Sequence, residues 1–163
     1  MALTTNRIKT TNRSKMLLNV GTATIGATAG WTTANDNNLL SMAANQTAGT
    51  ATIPINGVCI GDTITACRLL GGTAGAAAKT LAWGLWKTTK ASGAITATLV
   101  QAMTSDTTAT AHSIDIETYL TTPLKLADDC QYFFLLTGTT ATGVTIDIIG
   151  IELDIKRTLG QES

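Results

Sequence analysis

The segment Gly143–Lys156 begins with the period of a half-buried strand: Val144, Ile146 and Ile148 are apolar, with Thr145 and Asp147 between them. The phase then slips. From Ile149 onward the apolar set is Ile149, Ile151, Leu153 and Ile155, with Gly150, Glu152, Asp154 and Lys156 opposite. A slip of one residue turns every later side chain to the wrong face unless the backbone absorbs it. The pattern therefore predicts a β-bulge near Ile148-Ile149-Gly150, at a place where the sheet curves or the strand changes partner.

From Trp31 onward the same period recurs in short segments divided by turn residues. Strands are predicted at Leu39–Met42, Thr50–Ile55, Thr63–Leu70, Thr80–Lys87, Ala94–Ala102, His112–Glu117, Pro123–Leu126, Gln131–Thr137 and Val144–Lys156. Asn56-Gly57, Gly61-Asp62, Gly71-Gly72, Ser92-Gly93, Asp128-Asp129 and Gly138 are the expected breaks. No stretch carries a helical period. The expectation is an all-β protein: an antiparallel β-sandwich of jelly-roll type over residues 31–163, preceded by an extended N-terminal arm over residues 1–30.

Two strands are apolar on both faces. In Gln131–Leu136, Tyr132, Phe134 and Leu136 face one way, and Phe133 and Leu135 the other; in Leu81–Lys87, Trp86 opposes Leu81, Trp83 and Leu85. Such strands lie between a core and a second buried surface. Trp86 and Phe133 are accordingly candidate subunit-interface residues, a larger core within the chain being the alternative.

Composition sharpens this picture. Threonine is the commonest residue, and Thr suits a pleated, half-exposed strand and is poor inside helices. Only 13% of residues are charged, 11 basic and 11 acidic, so self-repulsion does little to keep the protein soluble. Such a surface favours a component of an assembly over a free enzyme. The charge is uneven: Arg7, Lys9, Arg13 and Lys15 precede the first acidic residue, Asp36. A polar arm of this kind becomes ordered only against something else, because ordering costs about 1–2 kcal/mol per residue in backbone entropy. These four cations are the candidate partner-binding residues, pairing with acidic groups of another protein. Without aromatic residues among them, nucleic acid is not the expected partner. The apolar run from Met16 is broken by Asn19, Gly21, Thr22 and Thr24, so neither a signal peptide nor a membrane span is expected.

Candidate chemistry is sparse. Cys59, Cys67 and Cys130 match no zinc or redox spacing and are expected to be buried, reduced thiols, with a Cys59–Cys67 hairpin disulfide as the alternative. His112 alternates in phase with Ile114 and Ile116, which suits a satisfied core or interface histidine. Asp128-Asp129 sits where a turn belongs, and Asp147, Glu152 and Asp154 form the solvated face of the last strand. No catalytic, cofactor-binding or metal-ligating residues are assigned, and no enzymatic activity is expected.

The runs "ATIPINGVCIGDTITACRLLGG", "LAWGLWKTTKASG" and "PLKLADDCQYFFLLTGTTATGVTIDIIGIELDIK" resemble the jelly-roll modules of tailed-phage virion proteins, over about Thr50–Lys156. A single domain of this length with an N-terminal arm looks most like the capsid decoration (cement) proteins. That resemblance implies a structural virion protein on the outer surface of the capsid, made in the host cytoplasm. It also implies a homotrimer whose partners are the major capsid protein and itself. The alternative is a receptor- or carbohydrate-binding domain of a head or tail fibre, which needs an exposed aromatic platform; Trp31, Trp83 and Trp86 are the candidates.

Overall fold

The last strand organises the molecule. In the computed structural model, which describes residues 10–27, 30–34, 38–90 and 95–159, it runs unbroken from Thr145 to Leu159. In chain order the strands are β1 (Thr10–Asn19), β2 (Thr24–Ile25), β3 (Trp31–Ala34), β4 (Leu39–Met42), β5 (Gln46–Pro54), β6 (Thr63–Ala74), β7 (Lys79–Thr89), β8 (Ala97–Ala102), β9 (His112–Lys125), β10 (Cys130–Thr140) and β11 (Thr145–Leu159). A single 3-10 turn, Val20–Thr22, follows β1. Sheet A has the order β3-β4-β11-β6-β9, with β1 also on β11; sheet B has the order β2-β5-β10-β7-β8. Every pairing is antiparallel, giving the two-sheet sandwich that the residue pattern predicts.

The predicted bulge is present, at a change of partner. On β11, Ile148 pairs with Gly71 and Gly150 with Leu70, so Ile149 is the extra residue, and its side chain is 52% exposed. Along the other edge of β11, β4 pairs with Ile146–Ile148 and β1 with the stretch from Gly150 to Leu159. The bulge thus lies where one neighbour ends and the next begins. Gly150 is required there because a Cβ would come within 2.7 Å of Leu17 Cδ1 and 3.0 Å of the Leu18 carbonyl oxygen. With the slip absorbed, Ile146, Ile148, Ile151, Leu153 and Ile155 all point inward and are fully buried. They meet Leu81, Trp83, Leu85, Tyr132, Phe134 and Leu136 of sheet B, and the rings of Trp83 and Phe134 lie 5.7 Å apart.

Three expectations are corrected. The boundary at residue 30 does not divide arm from domain: residues 10–19 are a full strand of sheet A, paired from Thr10↔Leu159 to Asn19↔Gly150. Inward-facing Met16, Leu18 and Val20 pack on the core, so this segment is ordered by its own chain. His112–Glu117 and all of Pro123–Leu126 but its last residue belong to one long strand, β9, which bulges against β6 between Ala66 and Ile64. Gly71-Gly72 and Gly138 lie inside strands. Gly138 leaves room for Met42 and Trp31, whose Sδ and Cζ2 would stand 2.6 and 3.0 Å from a Cβ placed there.

One long edge of the sandwich is closed by side chains. Gln101 on β8 acts as a rung to β9, its Nε2 donating to the Tyr119 carbonyl at 3.1 Å and its Oε1 accepting from Thr121 N at 2.9 Å. Thr104 N donates to Thr118 Oγ1 at 3.3 Å.

Candidate functional site

The two outer faces differ in charge. On sheet A the outward residues include Arg13, Lys15, Arg68, Asp115, Glu117, Asp147, Glu152, Asp154 and Lys156. Four of these nine pair with one another. Lys15 Nζ donates to Glu152 at 2.8 Å, which raises the lysine above its ordinary pKa. Arg68 forms a two-pronged contact with Asp115, and that hydrogen bond holds the carboxyl below its usual range. Ser41 Oγ donates to Asp147 at 2.6 Å. This is a solvated face, as expected for Asp147, Glu152 and Asp154.

The outer face of sheet B carries no charged residue in its described strands. Its outward positions are Thr24, Thr50, Thr52 and Pro54; Thr80, Ala82, Gly84, Trp86 and Thr88; Ala97, Leu99 and Ala102; and Gln131, Phe133, Leu135, Thr137 and Thr139. Directly opposed residues build an apolar row, Pro54–Phe133–Trp86–Leu99, across four strands. Three interstrand spacings of about 4.8 Å make the row roughly 14 Å long. Trp86 and Phe133 are half-buried and Leu99 is 45% exposed.

Gly84 shapes this surface. A Cβ on it would lie 3.1 Å from Leu99 Cδ1 and 3.3 Å from Trp86 Nε1, so the indole and Leu99 fold down over the glycine and bury it. Trp86 therefore lies along the sheet, with threonine hydroxyls in the rows to either side. Both residues singled out as interface candidates are brought together here, and no described segment of the chain covers them. Leu99 and Pro54 were missed by sequence reasoning because only the strand order places them beside Trp86 and Phe133.

The other candidates lie elsewhere. Arg7 and Lys9 are outside the described residues; Arg13 is exposed on β1, and Lys15 is held by Glu152. Trp31 and Trp83 are buried, donating their Nε1 hydrogens to the carbonyls of Gly49 at 2.9 Å and Thr104 at 2.8 Å, so neither can serve as a surface platform. Asp128 and Asp129 are exposed in the turn between β9 and β10, and no metal-binding cluster occurs among the described residues.

His112 is half-buried at a sheet end, on the same face as Ile114 and Ile116, and its ring nitrogens have partners, as its alternation suggests. Its Nε2 lies 2.9 Å from Asp106 Oδ2, and its Nδ1 lies 2.8 Å from the Thr110 carbonyl and 3.3 Å from Thr73 Oγ1. Thr73, His112 and Asp106 superficially have the order of a hydrolytic triad. However, Nδ1 must carry a hydrogen to meet the Thr110 carbonyl, so it has no lone pair with which to accept the Thr73 proton. Lys79, also buried, donates to the same carbonyl at 2.9 Å, and Asp106 Oδ1 accepts from Thr108 N at 2.9 Å. The cluster pins the loop before β9 and does no evident chemistry.

All three thiols are free. Cys67 is buried and Cys130 partly so, but Cys59 is exposed, correcting the expectation that all three are interior. Burial pushes the Cys67 thiol up to about 12, leaving it about one part in ten thousand thiolate at pH 8. Labelling of the folded protein with an aromatic disulfide reagent should modify Cys59 readily and leave Cys67 untouched until unfolding. Rapid loss of all three thiols would contradict the packing around Cys67.

No protein family matches the sequence, and no curated protein does. Among solved structures, the chain is similar to endo-1,4-beta-D-xylanase 10B of Clostridium thermocellum, solved with xylohexaose, at 10% identity over 93% of this chain and 29% of that one (TM-score 0.55). It is also similar to a family 22 xylan-binding domain, at 14% identity over 93% and 89% of the two chains (TM-score 0.41). A further similarity is to tailspike protein 4 of bacteriophage CBA120, at 12% identity over 88% of this chain and 19% of that one (TM-score 0.35). The chain thus spans under a third of the xylanase and under a fifth of the tailspike. At these identities what is shared is the architecture: this is an all-β, antiparallel, jelly-roll-type sandwich.

Proposed function

We propose that the chain is a non-catalytic structural protein of a phage virion, of the capsid-decoration kind. It would associate with copies of itself, as a homotrimer, through the outer face of sheet B, and so bind the major capsid protein from several points at once. The observation that carries this is the contrast between the faces. Sheet A carries charges of both signs, some of them in solvated pairs, whereas sheet B presents an uncharged surface crossed by Pro54, Phe133, Trp86 and Leu99. Exposed apolar rows rimmed by polar residues mark interaction sites. A face without charge also meets a copy of itself without repulsion, as contact between identical chains requires. On a shell, an oligomer adds avidity and stabilises the assembled state by mass action. The arm no longer supports this reading over residues 10–19, since that segment is a strand of its own domain. Sedimentation equilibrium tests it: self-association is expected at micromolar concentration, and a protein that stays monomeric would overturn it.

One observation favours a second reading, a carbohydrate-binding domain of a fibre. Trp86 lies along the sheet over Gly84, an arrangement in which a sugar ring could stack, with Thr88, Gln131 and Thr52 nearby for hydrogen bonding. A glycan array separates the two: specific glycan binding by a monomer selects the fibre reading.

A further inference from the structure

We propose that a cationic row at one end of the outer face of sheet A docks an acidic segment of a partner polypeptide, at a surface distinct from the sheet B face. Register builds the row: Arg13 lies opposite Lys156, Lys156 opposite Thr63, and Thr63 opposite Lys125. It crosses four strands and is roughly 14 Å long at about 4.8 Å per spacing. Arg13 and Lys125 are exposed and Lys156 is half-buried.

Two observations set these cations apart. Arg13 and Lys156 are like charges at directly opposed positions, an arrangement that destabilises an antiparallel pair. The fold nonetheless neutralises its other cations in this sheet, pairing Lys15 with Glu152, Arg68 with Asp115 and Arg157 with Asp62. Among the described residues, no carboxylate forms an ion pair with Arg13, Lys125 or Lys156. Asp154 borders the row, opposite Lys15, and leaves it with a net positive charge. Repulsion retained within a sheet that pairs its remaining cations points to an anionic partner that relieves it.

The surroundings select the partner's chemistry. Alternate residues of an extended polypeptide point the same way about every 6.8 Å, so two or three carboxylates fit over the row. A nucleic-acid strand continuing past it along the strands would run onto Asp154, Glu152 and Glu117. The nearby exposed ring, Tyr119, turns its hydroxyl to Glu117, which raises the phenol's pKa, and is not interleaved with the cations.

The test is fluorescence anisotropy of a labelled hexaglutamate peptide at low ionic strength. Wild type is compared with Arg13→Gln/Lys125→Gln/Lys156→Gln and with Lys90→Gln, a change outside the row. Binding by wild type, a loss of at least tenfold in the triple variant and no loss in Lys90→Gln are expected. Thermal melting gives a second readout: with the repulsion removed, the triple variant should melt at the same temperature or up to about 3 °C higher. A purely structural row would lower it. Failure of wild type to bind hexaglutamate, or tighter binding of an oligothymidylate of similar charge, would overturn the assignment. Neither result bears on self-association through sheet B.

Discussion

Replacing Trp86 by lysine is expected to convert the assembled protein to monomers while leaving the sandwich folded. Trp86 sits in the middle of the apolar row, flanked by Phe133 on β10 and Leu99 on β8. Buried tryptophans at the centre of an interface typically contribute 2–4 kcal/mol. Lysine would lose that contact and place an ammonium group in a face that offers no carboxylate to receive it, which costs several kcal/mol more. A shift of even about 3 kcal/mol weakens association more than a hundredfold. Stability should change little, because Trp86 is outside the core; the loss of a good strand former costs about 1 kcal/mol. Sedimentation of the variant beside its far-ultraviolet circular dichroism separates the two effects. An oligomer that survives Trp86→Lys unchanged would place the interface elsewhere.

The second large effect is on stability. Gly71→Ala should destabilise the domain by about 3 kcal/mol, lowering the melting temperature by roughly 6–12 °C, without altering any surface. Gly71 is the partner of Ile148, immediately before the bulge. A Cβ on it would stand 2.2 Å from the Asp147 carbonyl oxygen and 3.1 Å from Ile148 Cα. Both are backbone atoms of the central strand, so nothing can rotate aside. Either the bulge reshapes or β6 and β11 separate. Gly72→Ala, one residue on, is the control: its Cβ would approach nothing closer than the His112 carbonyl oxygen at 3.8 Å. Equal melting temperatures for the two variants would mean that the strands at the bulge are not this close.

Much of the architecture was legible because alternation is a physical consequence of one buried face. The slip at Ile149 predicts the bulge, and the alternation in Gln131–Leu136 puts Phe133 on the face opposite Tyr132, Phe134 and Leu136 without reference to strand order. What failed did so for identifiable reasons. In β1 and the turn after it, inward Met16, Leu18 and Val20 keep the period of a strand, but Leu17, Asn19, Gly21 and Thr22 blur it. Cationic residues before it then suggested a free arm. Gly71 and Gly138 were read as breaks because glycine is the residue of turns, whereas here it leaves space for a carbonyl and for the ring of Trp31. The candidate site was half visible. Trp86 and Phe133 could be found from their own strands, but the row they form with Pro54 and Leu99, and the cationic row of Arg13, Lys156 and Lys125, exist only through register between distant segments.

The central claim is that the uncharged face of sheet B is covered by another copy of the chain. Tryptophan fluorescence reads this directly, since Trp31 and Trp83 are buried and Trp86 is the tryptophan at that surface. Acrylamide quenching measured across a dilution series should show Trp86 shielded at high protein concentration and newly accessible as the assembly dissociates. A quenching constant that stays high and unchanged at every concentration would mean that the face is open to solvent and that the proposed assembly does not use it.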